Sequence, residues 1–291
     1  MREVHGASGD AWIARLPSTL AAAARRWSLT LGAPFEPPSY NYVVRVTRED
    51  GSPAVLKAGF PCRELETELG ALRIYGGRGI ARLLAEDAAE GVFVIERLQP
   101  GMALEQVADD VAATSIAASI MRQLWVPAPA DGGFPTIADW GLGFQRLRST
   151  FGGGTGPFPA DLVDEAEELF ASLLATSSPP VLLHGDLHHG NILSASREPW
   201  LAIDPKGVTG EPAYEAGALV RNPVALYTSM PNPAAITARR LSQLADELGI
   251  DRQRLKGWAF AQAVLSSWWT WENHGRVGDM ALACAKWLRE A

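Results

Sequence analysis

Cysteine is nearly absent from this 291-residue chain: Cys62 and Cys284 are the only two. Two thiols so far apart make neither a disulfide framework nor a cysteine-based zinc site. No run of about 18 uninterrupted apolar residues occurs, so no membrane-spanning helix is expected. The start, Met1 to Gly6, carries no apolar signal segment. An excess of cations is missing too, with 26 Lys and Arg against 33 Asp and Glu, a formal charge of −7 and a pI near 5.3. A general nucleic-acid binder needs clustered Lys and Arg to neutralise phosphates, which this balance excludes. A nucleotide whose charge a metal ion neutralises remains compatible with it. Hydrophobic residues at 47% and charged residues at 20% are globular values and exclude intrinsic disorder. The expectation is a cytoplasmic globular protein of one large domain or two ordinary ones.

The negative charge is unevenly placed. Residues 1–98 carry twelve basic and twelve acidic side chains, so the whole −7 belongs to residues 99–291. An acidic half can attract a cationic ligand. A run such as Asp164-Glu165-Ala166-Glu167-Glu168, however, reads first as a solvated helix face.

Trp12, Leu16, Leu20 and Trp27 recur at helical spacing and predict a leading helix within residues 10–30. Pro34 to Pro38 reads as a stiff connector. Tyr42–Thr47 and Pro53–Ala58 are β-branched or apolar segments around Asp50-Gly51, which predicts a hairpin. Arg63–Tyr75 is periodic through Leu65, Leu69 and Leu72, and Gly76-Gly77 stops it as a helix. Ile80–Glu86 and Gly91–Arg97 predict a further antiparallel pair. Gln99-Pro100-Gly101 then punctuates the chain, which divides it into lobes 1–98 and 99–291. In the second lobe, residues 103–126 and 160–176 predict helices, with the glycine-rich loop 152–156 between them. Val181–Leu183 is a short strand, and residues 212–291 are helical and rich in tryptophan. The fold class is α+β, a small lobe with an antiparallel sheet followed by a larger, mostly helical lobe.

The densest polar segment is Leu183-His184-Gly185-Asp186-Leu187-His188-His189-Gly190-Asn191-Ile192-Leu193, followed by Ala202-Ile203-Asp204-Pro205-Lys206-Gly207. A hairpin of this length returns Asp204 to the side of Asn191. One carboxylate and one amide oxygen then offer hard ligands suited to Mg²⁺. Asp186, on the loop before them, is placed to accept a proton from a hydroxyl nucleophile. Zinc is not expected at the three histidines, since no cysteine lies near.

His-Gly-Asp-x-x-x-x-Asn followed by Ile-Asp resembles the catalytic and metal loops of the aminoglycoside phosphotransferases, relatives of the protein kinases. The extended forms resemble the streptomycin 6-kinase and hydroxyurea phosphotransferase branch, and the likeness runs from about residue 40 to 275. It implies a bilobal protein-kinase-like fold, ATP or GTP as donor and Mg²⁺ as cofactor. It makes Asp186 the catalytic aspartate, Asn191 and Asp204 the metal ligands, and His184 a structural part of the loop. Lys57, which alone reads as an outward lysine on an edge strand, becomes the lysine that contacts the α/β-phosphates. Its helix carboxylate is then Glu68, with Glu64 and Glu66 facing solvent. Backbone groups of Glu96 and Leu98 would bond adenine. Glu215 would brace the catalytic loop through backbone N–H groups, and Lys206 would reach phosphate oxygens or the leaving group. The chain departs from the protein-kinase pattern at Ser39-Tyr40-Asn41, where no Gly-x-Gly-x-x-Gly precedes Lys57. No Ala-Pro-Glu follows Asp204, which argues against a protein substrate.

The implied acceptor is a cationic aminoglycoside such as streptomycin, whose guanidinium groups call for carboxylates and flat aromatic faces. Trp268, Trp271 and Glu272 supply both within one helical turn, and Asp139 beside Trp140 is a second candidate. The alternatives are a kinase of another small molecule, such as hydroxyurea, a nucleoside antibiotic or a sugar, and a kinase-fold binding protein without catalysis.

Overall fold

The structure is a computed structural model that describes residues 2–36, 41–130 and 133–291. The chain begins with α1 (Arg2–Arg26), which is kinked at Gly6, followed by β1 (Thr30–Pro34), β2 (Tyr42–Thr47), β3 (Pro53–Ala58), α2 (Arg63–Tyr75), β4 (Leu83–Asp87) and β5 (Val92–Glu96). The five strands form one antiparallel sheet in the order β1-β2-β3-β5-β4. The β2–β3 hairpin closes where Gly51 adopts φ +80° and the Asp50 carboxylate accepts the Ser52 N–H at 2.9 Å. Strand alternation divides the side chains between two faces. Val44, Val46, Ala54, Leu56 and Val94 pack under Trp12 and Leu20 of α1. Val55, Phe93 and Ile95 face the other way, toward Leu65, Leu69 and Leu72 of α2. Lys57 lies on this second face, opposite Val43 and Phe93.

The chain continues through β6 (Pro100–Ala103), α3 (Asp110–Leu124), β7 (Val126–Pro127), α4 (Ile137–Thr150), α5 (Ala160–Ala175), β8 (Val181–Leu183), β9 (Ile192–Ala195), β10 (Trp200–Ala202) and β11 (Val208–Gly210). It ends in α6 (Ala216–Val220), α7 (Val224–Ser229), α8 (Pro233–Leu248), α9 (Arg252–His274) and α10 (Asp279–Glu290). Two small antiparallel sheets, β10-β9-β6 and β11-β8-β7, flank the polar segment. Helix α9 is the central pillar. Trp258, Phe260, Leu265 and Trp268 on it are 2% exposed or less, and each large buried side chain contributes about 1.5–3 kcal/mol. Among the described residues no helix is long and apolar enough to cross a membrane.

Several expectations need correction. The helix expected from residue 103 starts at Asp110. Residues 100–103 pair with β9 as a strand instead, and Asp109 caps the helix by accepting the N–H groups of Val111 and Ala112. Helix α4 was not foreseen. Its signal was present as a capping box, in which Thr136 and Asp139 bond each other's backbone N–H. Thr30–Pro34 forms a strand on the sheet edge, so Pro34 ends β1 and does not begin a connector. Pro37, Pro38, Ser39 and Tyr40 lie outside the described residues. The 164–168 run is not merely solvated, because Asp164 and Glu167 pair with Arg148 and Glu165 pairs with Arg289.

One buried cation ties α3, α6 and α8 together. Arg240 is fully buried. Its guanidinium grips both oxygens of Asp110 and donates to the carbonyls of Leu219 and Asn222. Removing it leaves Asp110 only its part-exposed partner Arg239 and takes the donor from the Leu219 and Asn222 carbonyls, so Arg240→Met is expected to lower unfolding free energy by about 3–5 kcal/mol. Arg239 pairs with the same Asp110 but is one-third exposed, so Arg239→Gln is expected to cost about 1 kcal/mol or less. Urea denaturation of the two variants checks this; equal losses would contradict it.

Candidate active site

The polar segment is held open by backbone-directed bonds. The buried Glu215 carboxylate accepts the N–H of His184 at 2.7 Å and of Gly185 at 2.9 Å. Burial pushes its pKa up to about 7, against the pull of those N–H groups. Gly185 has φ +83°, and a Cβ there would lie 2.8 Å from the Trp140 ring, so the position requires glycine. The buried His184 ring spans the two halves of the segment. Its Nδ1 accepts the Asp186 N–H at 3.2 Å, and its Nε2 lies 2.8 Å from the Ile203 carbonyl. Burial lowers its pKa to about 4, so the ring is neutral near pH 7 and donates from Nε2. The backbone of Asn191 is locked to the returning strand by the Ile203 N–H at 2.9 Å, which brings Asp204 beside it.

Asp186, Asn191 and Asp204 thus converge. The Asn191 amide nitrogen donates to the Asp186 carbonyl at 3.0 Å, so the amide oxygen is the end left to meet a cation. Asp204 adopts φ +59°, an uncommon left-handed conformation for a non-glycine residue that costs about 1–2 kcal/mol. One of its oxygens accepts from Lys57 Nζ at 2.9 Å, and Lys57 also donates to Glu68 at 2.6 Å. Burial alone would lower the Lys57 pKa, but Asp204 and Glu68 outweigh it and hold the lysine charged. Asn191 and Asp204 offer two hard oxygens, a donor set that suits Mg²⁺ sharing its remaining positions with phosphates and water. Among the described residues no cluster of three or more His, Cys, Asp or Glu could hold a metal by itself.

Residues of this centre line two cavities. One, of about 410 Å³, contains Lys57 and Asp204 and extends past Val43, Val55, Glu96 and Leu98. The Glu96 N–H is engaged by the Arg82 carbonyl at 2.8 Å, and its side chain pairs with Arg197, so only its carbonyl can address a base. The other cavity, of about 690 Å³, contains Asp186, Lys206, Arg221, Asp139, Trp140 and Trp269.

The second cavity corrects the substrate expectations. Trp268 is 2% exposed and packs edge-on against Phe151 and Phe158, so it belongs to the core. Trp271 packs edge-on against the same two rings and does not line the cavity. Glu272 is clamped side-on by Arg146, at 2.6 and 3.1 Å, and borders a separate groove. Asp139 does line the cavity, but its carboxylate is engaged by Thr136, whose N–H donates at 2.7 Å. Glu64 was expected to face solvent; it is largely exposed yet pairs with Lys206 across the cavity. The aromatic walls are Trp140 and Trp269, with ring centroids 5.6 Å apart. A signal for Trp269 is present, since Ser266, Trp269, Thr270 and Asn273 form an i, i+3, i+4, i+7 stripe with polar members in the C-terminal half of α9.

Fold and centre together define a protein-kinase-like phosphotransferase. The backbone resembles a choline/ethanolamine kinase family protein from Mesorhizobium loti, with a TM-score of 0.69 at 17% identity, covering 96% of this chain and 95% of that one. It also resembles the aminoglycoside phosphotransferase APH(4)-Ia solved with ADP and hygromycin B, with a TM-score of 0.63 at 13% identity, covering 93% of this chain and 98% of that one. The chain belongs to the aminoglycoside/hydroxyurea antibiotic resistance kinase family, which it matches over residues 26–275. It is 32% identical to a streptomycin 6-kinase of Streptomyces griseus, covering 92% of this chain and 87% of that protein. It is 31% identical to a hydroxyurea phosphotransferase of Kitasatospora aureofaciens, covering 95% and 78% respectively. It is accordingly a phosphotransferase with a hydroxyl group as acceptor.

The Glu215 position sets a pH signature. Its native pKa near 7 exceeds the ordinary 4.5, so the native state holds a proton that the unfolded chain has lost. Stability from this group is full below pH 4.5 and is lost as pH rises toward 7. Glu215→Gln, neutral throughout, should lack that loss. Its stability relative to wild type is expected to rise across this window by up to about 3 kcal/mol, as read by denaturation at several pH values. A pH-independent difference would contradict the raised pKa.

Proposed function

We propose that the chain is a nucleotide-dependent kinase that transfers the γ-phosphoryl group of ATP or GTP to a hydroxyl of an aminoglycoside, with streptomycin as the acceptor the relatives favour. The observation that carries this reading is the placement of Lys57 and Asp204 in one cavity and of Asp186 in another, with Asn191 bonded both to the Asp186 carbonyl and to the Ile203 N–H that precedes Asp204. Residues 1–98 form the nucleotide lobe in this reading, and residues 99–291 the catalytic and acceptor lobe. Lys57, held by Glu68, pairs with the α/β-phosphates, while the Glu96 carbonyl and the Leu98 N–H address the base. Asn191 and Asp204 hold Mg²⁺, which when bound neutralises phosphate charge. Asp186 orients the acceptor hydroxyl and takes its proton, and Lys206 lies near the path of the transferred group. The reaction takes place in the cytoplasm, where nucleoside triphosphates are available.

A second reading is favoured by the charge of the acceptor cavity. Arg63, Arg146, Lys206 and Arg221 line it against Glu64, Asp139 and Asp186, with Lys206 paired to Glu64 and Arg146 to Glu272. A cavity so balanced suits a small neutral acceptor such as hydroxyurea at least as well as a polycation. A binding protein without catalysis is disfavoured, because Lys57, Asp186, Asn191 and Asp204 are all in place.

A nucleotide-consumption assay over aminoglycosides, hydroxyurea, nucleosides and sugars, with NMR of the product, decides among these. Asp186→Ala is expected to lower turnover by about 10²–10⁴-fold while nucleotide binding persists. Asp204→Ala is expected to remove the Mg²⁺ dependence of nucleotide binding. No turnover with any acceptor would overturn the kinase reading, and a fully active Asp186→Ala would displace Asp186 from its role.

A further inference from the structure

Three histidines stand in the catalytic segment, and two have clear structural duties. His184 bridges to the Ile203 carbonyl, and the buried His189 lies 3.4 Å from the Arg240 guanidinium. His188 is different, since its side chain is 29% exposed and turns toward Asp186.

The hydrogen bonds around the His188 ring fix where its proton lies. The Gly190 N–H points at Nδ1 from 3.1 Å. A backbone N–H only donates, so Nδ1 accepts and carries no hydrogen, and a neutral ring then carries its hydrogen on Nε2. Nε2 lies 3.9 Å from Oδ2 of Asp186. That is too long for a direct hydrogen bond, yet a single oxygen atom can stand about 2.8 Å from both.

We propose that His188 is a further catalytic residue: its Nε2–H and the Asp186 carboxylate hold the acceptor hydroxyl oxygen between them. The inference rests on the phosphotransfer reading above and adds a group to it. The hydroxyl donates its hydrogen to Asp186 and accepts from His188 Nε2–H at one lone pair. Its second lone pair is thereby aimed at phosphorus. On transfer the new O–P bond forms, the bond from phosphorus to the bridging oxygen of the nucleoside diphosphate breaks, and the hydroxyl proton passes to Asp186. His188 keeps its own hydrogen throughout. An oxygen fixed at all three of its remaining positions has lost its orientational freedom before reaction, which lowers the barrier.

The test separates this role from capping. Ser at position 188 can still accept the Gly190 N–H but is too short to reach the hydroxyl. His188→Ser is expected to lower kcat by about 10²-fold, with nucleotide Kd and Tm unchanged. Wild-type kcat in His188→Ser would overturn the proposal, because capping alone would then account for the histidine. Nitrogen-15 shifts of the His188 ring are expected to show hydrogen on Nε2; hydrogen on Nδ1 would overturn it as well. A wild-type chain inert toward every acceptor would overturn the phosphotransfer reading and this inference together, whereas an active wild type with an equally active His188→Ser would overturn this inference alone.

Discussion

The structure turns on the burial of one ammonium group. Lys57 is 1% exposed and sits on a strand whose neighbours are aliphatic or aromatic. An isolated charge in such a place costs several kcal/mol, so it persists only where opposite charge is brought to it. Glu68 comes from α2, and Asp204 comes from the segment after β10. The central sheet, the helix packed on it and the β9–β10 hairpin must therefore assemble in one register.

The catalytic segment is irregular and could not hold its shape alone. Its order comes from groups that satisfy backbone N–H donors, namely the Glu215 carboxylate, the His184 ring and the His188 ring. Glu215 and His184 are themselves fixed by full burial, while the His188 side chain is partly exposed. Loops that carry chemistry on such supports keep their geometry to within fractions of an ångström. The conformation is thus held by polar bonds to backbone and owes little to the propensities of its own residues.

The acidic surplus of residues 99–291 has a different meaning in space than in composition. Asp110 serves Arg240, Glu211 serves Arg254, Glu167 serves Arg148, and Glu272 serves Arg146. These carboxylates bind the helices to one another and are not available to a cationic ligand. The acceptor cavity is lined by four Lys and Arg against three Asp and Glu, and two of those cations are already paired, Arg146 with Glu272 and Lys206 with Glu64. Net charge reports on solubility and long-range steering, whereas a pocket is set by the few groups that reach it.

The amino-acid sequence by itself determined the hairpin around Asp50-Gly51, the helix ended by Gly76, the strand before His184, and the grouping of Asp186, Asn191 and Asp204. These are local matters of turn chemistry, periodicity and short spacing, and a motif of eight residues with a nearby returning strand leaves little freedom. The likeness to a known family extended that reading to Lys57, Glu68 and Glu215. Helix α4 is legible only in the capping box of Thr136 and Asp139, and Trp269 only as one residue of a stripe. Which tryptophans of α9 face the core and which face the cavity depends on the packing around the helix, because Trp268, Trp269 and Trp271 are equally apolar as sequence. Only the tertiary structure decided that Glu272 is taken by Arg146 and Glu64 by Lys206, since those partners lie 126 and 142 residues away. Side-chain spacing fixes contacts along an element, while pairings between elements depend on how the whole chain packs.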